Sequence, residues 1–598
     1  MVGTRLICAL TGTLPPAAYP VAAPHGALTE TQPWEAQTVW QWDRFCLGFW
    51  KYDAYPITSV ETHEFCLYLE GRLYGLSGSQ IPAELLKVAQ RAASPDGGAS
   101  ALKNWLRDAD GDFLIFIVHK KTNRIFFIND LFARLPVYYF CDGRILVLSR
   151  DLGYVLQHSQ PAAFDPLSLS QYLLFGFPLG PRTLFKDIFS LPPATLITIE
   201  AQGSRLTMNR LLHHNLEDLP LTSPSISVNA GNLVDRFRIA CANRASLDEA
   251  NIVSLSGGLD SRAVAACLRH ENLPLAAASF LDHQGKKNGD IQVARQVAAH
   301  LRLPWRSFQL PLPRQPEVDT LLRLKLGANN LEMSFILPFF NELINTFGAG
   351  LTYFTGDGGG DTLGESRPYR QLPDFSSLLA YLIERYQIFP LDFAASLTGI
   401  PASYLVTALA DLVNSFPEKT PARKYQHFFC LEVAQKEYNE GEDRNRQYFW
   451  SVTPFYAPSF FTYALSCPDD QKSRLRLYQH FLASLSPGLE KIPYADWGAP
   501  LGSWKFLLQY AAKNISRRRP HLTRSLKRIL APTPGNATNY LPSQALKEQL
   551  LSCPNLGSVF SEAALKKLAG NLDTLNIRQQ WTLFTLTSLV EKWGALIK

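Results

Sequence analysis

The 598-residue chain is too long for one small module, and with 46% hydrophobic, 12% aromatic and only 18% charged residues it is not a disordered scaffold. Its formal charge of +6, from 58 basic and 52 acidic residues, is too small over this length to point to nucleic acid or a membrane surface. Nine cysteines without a CxxC pair speak against a disulfide framework and against structural zinc, and fit a reducing compartment.

The opening run, MVGTRLICALTG, has too short an apolar stretch for a signal peptide, and no later run approaches the ~18 to 20 apolar residues of a membrane span. A cytoplasmic location is therefore expected. To about residue 200 the sequence predicts strands at 64–69, 113–118, 124–128, 137–140 and 195–199, punctuated by Asp110-Gly111, Asn129-Asp130 and Asp142-Gly143. Beyond a polar connector at 201–229 the pattern changes to alternation. A helix over 233–244, a strand over 252–255 and a helix over 261–270 come first. A strand at 275–280, a helix at 291–301 and a strand at 351–355 follow. From about residue 375 helical spacing dominates.

The segment Ser256-Gly257-Gly258-Leu259-Asp260-Ser261 stands directly after a predicted strand and opens a helix. Glycines let the backbone approach an anion, the helix N-terminus offers free N–H donors, and the two hydroxyls add further bonds. The loop lacks the GKS or GKT of a Walker A motif. It suits a site that holds the β- and γ-phosphates as a leaving pyrophosphate, with Asp260 holding magnesium. A second glycine cluster, Thr355-Gly356-Asp357-Gly358-Gly359-Gly360-Asp361, also follows an apolar strand.

SGGLDS resembles the pyrophosphatase-type ATP-binding loop shared by asparagine synthetases, GMP synthetase, NAD synthetase and several tRNA-modifying enzymes. The second cluster resembles the SGxGxDE element of asparagine synthetases, with one extra residue and Thr362 in place of the acid. That resemblance implies Leu255, Ser256, Gly257, Gly258, Asp260, Ser261, Thr355 and Gly356 as nucleotide contacts. It implies Asp260 and Asp361 as magnesium ligands, with Asp357 the alternative if the insertion shifts register. Ser279-Phe280-Leu281 ends a strand where the family packs adenine, so Leu281 joins the set, and Asp290 opens a D-x-x-x-A-x-x-x-A helix. In the N-terminal half, Glu70-Gly71-Arg72-Leu73-Tyr74, Asp110-Gly111-Asp112-Phe113, the stretch 129–139 and the stretch 183–193 resemble in order NGEIYN, DGxF, RDRLGxxPLYY and TxFxxIxxLPPG. Together they are similar to the N-terminal-nucleophile glutaminase domain of asparagine synthetase B.

The departures from that family carry information of their own. Val2 stands where a glutamine-hydrolysing domain of this kind needs an N-terminal cysteine, and Glu70 replaces the asparagine that stabilises the oxyanion. Cys8 is the nearest thiol, within the first apolar run, and no counterpart of the glutamine-binding arginine segment is found. The N-terminal domain therefore reads as a fold retained without its chemistry, as in β-lactam synthetases and lasso-peptide cyclases. Glu442-Asp443-Arg444 and 453–456 resemble the family's DR...RxPFLD region, with Trp450 in place of a glutamate. The run 477–493 resembles the helix that leads to the family's catalytic lysine. No lysine falls at the expected spacing, which leaves Lys505 as the α-phosphate candidate, with Lys491 just before the segment. The stretch from Arg517 to Arg528 holds five arginines and one lysine and reads as a solvated face, the alternative being docking of an acidic substrate or carrier. It has no interleaved aromatic pattern to suggest nucleic acid.

The expected architecture combines α+β and α/β. Residues 1–210 form a degenerate N-terminal-nucleophile αββα sandwich, and 211–598 a parallel ATP-pyrophosphatase domain with a helical extension. The expected reaction uses ATP and magnesium to activate a small-molecule or peptide carboxylate as its acyl-adenylate, which an amine converts to an amide. Asparagine formation from ammonia or glutamine, intramolecular amide closure and a silent ATP-binding scaffold are the alternatives.

Overall fold

The computed structural model describes the chain apart from residues 11–33, 43, 95–98, 160, 201–204, 223, 270–272, 282–287, 365, 519–541 and 595–598. Two six-stranded antiparallel sheets build the N-terminal domain. The first runs in space as Ile188–Ser190, Tyr138–Cys141, Ile145–Ser149, Gly3–Ala9, Phe45–Lys51 and Glu35–Trp42. The second runs as Arg205–Arg210, Thr195–Glu200, Arg124–Asn129, Gly111–His119, Phe65–Leu73 and Ile57–Glu61. The strands are apolar on both faces because both faces are covered. Leu6, Leu47, Leu114, Phe116 and Phe127 meet between the sheets, whereas Ile7, Cys46 and Val147 pack outward under Val155, Leu169 and Leu173. Leu67, Ile115 and Ile128 do the same beneath Leu85, Val88, Leu102 and Leu106. The result is a four-layered αββα sandwich.

The predicted strands all form, with shifts of a few residues at their ends. The opening apolar run does more than expected, because Gly3–Ala9 is an interior strand paired with both Phe45–Lys51 and Ile145–Ser149.

In the second half a five-stranded parallel sheet runs Trp305–Gln309, Leu275–Leu281, Asn251–Ser254, Thr352–Phe354, Trp450–Val452. Helices Ile226–Arg244, Leu259–Arg269 and Arg476–Leu485 bury one face through Val253, Ala277 and Phe354. Helices Gln315–Lys325, Leu337–Phe347 and Ile577–Trp593 bury the other through Ile252, Ala278 and Tyr353. The strand-turn-helix unit expected at Ser256–Ser261 is the central crossover of this sheet. Among the described residues no single helix is long and apolar enough to cross a membrane. The basic stretch lies, past Arg518, outside the described residues.

The two halves are joined by a buried charged seam. Residues 428–447 run as two π-helical stretches, Phe428–Val433 and Gln435–Asn439, into the helix Glu440–Asn445. Asp443 pairs with Arg150 of the N-terminal domain and, at 2.5 Å, with Lys325. Arg150 also pairs with Glu70 at 2.6 Å, and Lys325 with Glu440 at 2.5 Å. Tyr138 donates to Glu440 (2.6 Å), Arg446 pairs with Asp112 (2.8 Å), and Arg134 donates to Asn439. The backbone N–H of Val2 donates to Gln447 Oε1 at 2.8 Å. Burying so many charges is tolerable only because each is answered, so removing one member is costlier than its pairwise attraction suggests.

Arg150→Met, which leaves Glu70 and Asp443 buried without their cation, is expected to cost about 3–5 kcal/mol. The readout is a lowered urea midpoint. Lys566→Ala, which removes an exposed pair with Glu562, is expected to stay within about 0.5 kcal/mol of wild type.

Candidate active site

The loop after the central strand is held in shape by its own hydroxyls. Ser261 Oγ accepts from the Ser256 N–H at 3.0 Å, and Ser256 Oγ accepts from the Gly258 N–H at 3.1 Å. Asp290 Oδ1 accepts from the Gly257 N–H at 2.9 Å, so this helix-opening aspartate is committed to the loop backbone. Arg262, absent from the sequence-based set, is fully buried. It donates to the carbonyls of Gly257, Gly258, Leu489, Ile492 and Pro493 at 2.8–3.4 Å. Burial draws its guanidinium down to about 10. These bonds also explain how the 489–493 segment comes to lie against the loop.

The second glycine cluster presses its backbone on the first. A Cβ on Gly356 would stand 2.7 Å from the Ser261 nitrogen, and one on Gly359 would stand 2.6 Å from Asp260 Cγ. Gly358, at φ 89°, lies so close to Tyr456 that a Cβ would meet its ring at 2.5 Å. A short helix, Gly359–Leu363, then carries Asp361 in its first turn.

Both loops line one cavity of 660 Å³. Ser256, Gly258, Asp260, Ser261, Thr355, Gly356 and Asp361 of the predicted set face it, as does Asp357. Leu255 is core, its N–H donating to Ala278 O at 2.8 Å, and Gly257 packs under Ala495. Leu281 does not line the cavity. Its neighbour Phe280 does, with its ring against Phe335 and Phe339. Successive strand residues face opposite ways, so an assignment one residue off selects the wrong face. Lys505 is not brought to the cavity either; it is exposed and donates to Gly498 O at 3.1 Å. The cations that do line it are Lys436, Arg444 and Arg578. The first two lie on the irregular helical run 428–445, where π-turns break the 3.6-residue spacing that sequence patterns rely on.

Asp260 accepts from Tyr478 OH and from the Gly360 N–H at 3.3 Å, and burial pushes its carboxyl up to about 6. Asp361 is pushed up to about 8, by burial first and then by Asp260 and Asp357. Asp357 is raised by burial and by Glu442, whose other role is to accept from Thr355 Oγ1. Asp361 Oδ2 is buried without a hydrogen-bond partner among the described residues. Among the described residues no group of three or more His, Cys, Asp or Glu forms a metal cage. Two carboxylates on adjoining glycine-rich loops nevertheless fit magnesium, which takes one or two protein carboxylates and completes its shell with phosphates and water.

A glycine-rich loop on a parallel sheet faces a cavity lined by aspartates, and that half of the chain is joined to a four-layered αββα sandwich. Residues 99–209 match the model of a glutamine amidotransferase domain and residues 232–312 that of asparagine synthase. Their order along the chain is consistent with an asparagine-synthetase-like family. No curated protein matches the chain. Among solved structures, glutamine phosphoribosylpyrophosphate amidotransferase from B. subtilis is 9% identical, covering 59% of this chain and 81% of its own at a TM-score of 0.21. NMN synthetase from Francisella tularensis is 14% identical, covering 36% of this chain and 96% of its own at a TM-score of 0.19. At such scores these likenesses add nothing to the fold read from the strand order.

Arg262→Met would remove the guanidinium from five carbonyls, of which those of Gly257 and Leu489 keep a backbone N–H donor. Amide hydrogen exchange is expected to accelerate at least tenfold at 256–261 and 489–493 and little elsewhere. The conservative variant Arg262→Lys, which supplies a point charge in place of the planar fork, would recover only part of the protection.

Proposed function

We propose that the protein is an ATP-dependent amide-forming synthetase that activates a substrate carboxylate by adenylation. The observation that carries this reading is the cavity itself, in which a lysine-free glycine loop carrying Asp260 and a second cluster carrying Asp361, whose Oδ2 is buried without a partner among the described residues, line the same space. The backbone of 256–261 and the Ser256 and Ser261 hydroxyls position the phosphates, and Phe280 offers a face to the base. A carboxylate oxygen of the substrate attacks the α-phosphorus and pyrophosphate leaves. An amine then attacks the acyl carbon, AMP departs and the amine proton passes to solvent. Magnesium, held by Asp260 and Asp361, would supply charge neutralisation at the leaving pyrophosphate. In this reading Lys436 and Arg444, which line the cavity, take the α-phosphate role for which Lys505 is the nearest candidate in the sequence.

The N-terminal domain serves as a structural partner and does not supply ammonia from glutamine in this proposal. Val2 is fully buried, and Glu70, locked by Arg150, Tyr55 and Thr4, is spent on the interdomain seam. The Cys8 thiol sits in the core between the sheets, where burial pushes it up to about 12. Cleavage to expose Cys8 would also remove most of the interior strand Gly3–Ala9.

Nucleotide chromatography after incubation with a carboxylate pool and ammonia is expected to show AMP, and ADP as sole product would refute adenylation. Gly359→Ala, by displacing Asp260, is expected to weaken magnesium-ATP binding at least tenfold in calorimetry with unchanged circular dichroism. Glutamate release from glutamine is expected to equal a no-enzyme control, with or without ATP. Robust release would return the N-terminal domain to catalysis.

A further inference from the structure

The cavity wall is closed in part by the helix Ile577–Trp593, which lies outside the segments matching either domain family. This helix contributes one residue to the wall, Arg578. Its setting is unusual for a surface arginine. It occupies the first turn, where the helix dipole disfavours a cation and no acidic residue offsets it. No hydrogen bond or ion pair holds its guanidinium among the described residues, although its charge reaches the neighbouring wall residue Glu437.

The backbone beneath it is firmly placed. Asn576 and Gln579 form a reciprocal cap, Gln579 Nε2 donates to Ile388 O at 2.9 Å, and Thr585 Oγ1 accepts from the Leu331 N–H at 3.0 Å. Ile388 is itself a wall residue, and Leu331 lies within the wall segment 328–336. On that same segment Asn329 lines the cavity, and its buried side-chain oxygen has no partner among the described residues, a polar group that a ligand or water could satisfy only by a small shift of the side chain.

Resting on the adenylation reading, we propose that Arg578 is a specificity-determining residue that binds a second anionic group of the substrate, a carboxylate or a phosphate, where the helix Ile577–Trp593 borders the cavity. A guanidinium matches either group with two parallel N–H donors, and the fixed helix spares the ordering cost of a long side chain on a loop. The reacting carboxylate would then be oriented from its far end, which makes the second anion a requirement for tight binding and leaves the nucleotide contacts untouched.

Calorimetric titration of the full chain, saturated with magnesium and α,β-methylene-ATP, compares succinate with butyrate, which lacks the second carboxylate. Succinate is expected to bind at least tenfold more tightly. Arg578→Ala should erase that preference while nucleotide affinity stays within twofold, and Arg578→Lys should keep part of it. Inorganic phosphate that competes with succinate in wild type and not in Arg578→Ala supports the subsite and shows that it accepts phosphate. Equal binding of succinate and butyrate, a preference that survives Arg578→Ala, or a loss of nucleotide affinity in that variant overturns the proposal. If the wild type fails to bind nucleotide, the adenylation reading falls, and the same titrations without nucleotide still decide the role of Arg578.

Discussion

The contact between Arg150 and Asp443 is the constraint on which the rest of the molecule is arranged. Both side chains are fully buried, one in each half of the chain. Burying either alone would be prohibitive, so the domains are obliged to meet in one orientation and no other. Glu70 and Lys325 extend the pairing on either side, and each acid or base that neutralises a neighbour removes one way in which the interface could slip. Such a seam contributes specificity of docking more than net stability. An apolar interface of equal area would hold as well and fix less.

The helix that carries Asp443 faces two ways. Asn439, Glu440, Asp443 and Arg446 reach into the N-terminal sandwich, while Glu442 holds Thr355 and Arg444 faces the cavity. Residues two or three apart on one helix are thereby committed to different domains. The π-turns immediately before it rotate Lys436, Glu437 and Tyr438 toward the cavity, a placement that regular α-helical spacing does not give.

Much of the architecture was legible in the sequence because its signals are local. Short apolar runs punctuated by turn residues marked the strands, and a glycine-rich turn between a strand and a helix marked the loop from which Ser256, Asp260 and Ser261 line the cavity. What escaped was non-local or depended on a single-residue phase. Arg262 follows the motif directly, yet its meaning lies in carbonyls some 230 residues away. Phe280 and Leu281 differ only in which face of the sheet they take, and Lys505 was no more than the lysine nearest to a segment that has none at the expected spacing; the chain turns it outward. Glu70 read as a group hostile to an oxyanion. Only the fold reveals that its charge is already spoken for by Arg150.

The sequence distance across the seam has a consequence for biosynthesis. Arg150 waits for a partner 293 residues downstream, and the amide of Val2 for one 445 residues downstream. At a translation rate of roughly 5–20 residues per second, the N-terminal sandwich would emerge with its inner arginine facing water for about 15 to 60 seconds before Asp443 is made. During that interval the future interface presents Arg150 and Glu70 beside Tyr55 and Phe132, whose rings later pack on Trp450, Tyr456 and Phe461. The charged groups that later lock the two halves together thus keep part of an otherwise apolar surface hydrated while the first half is alone.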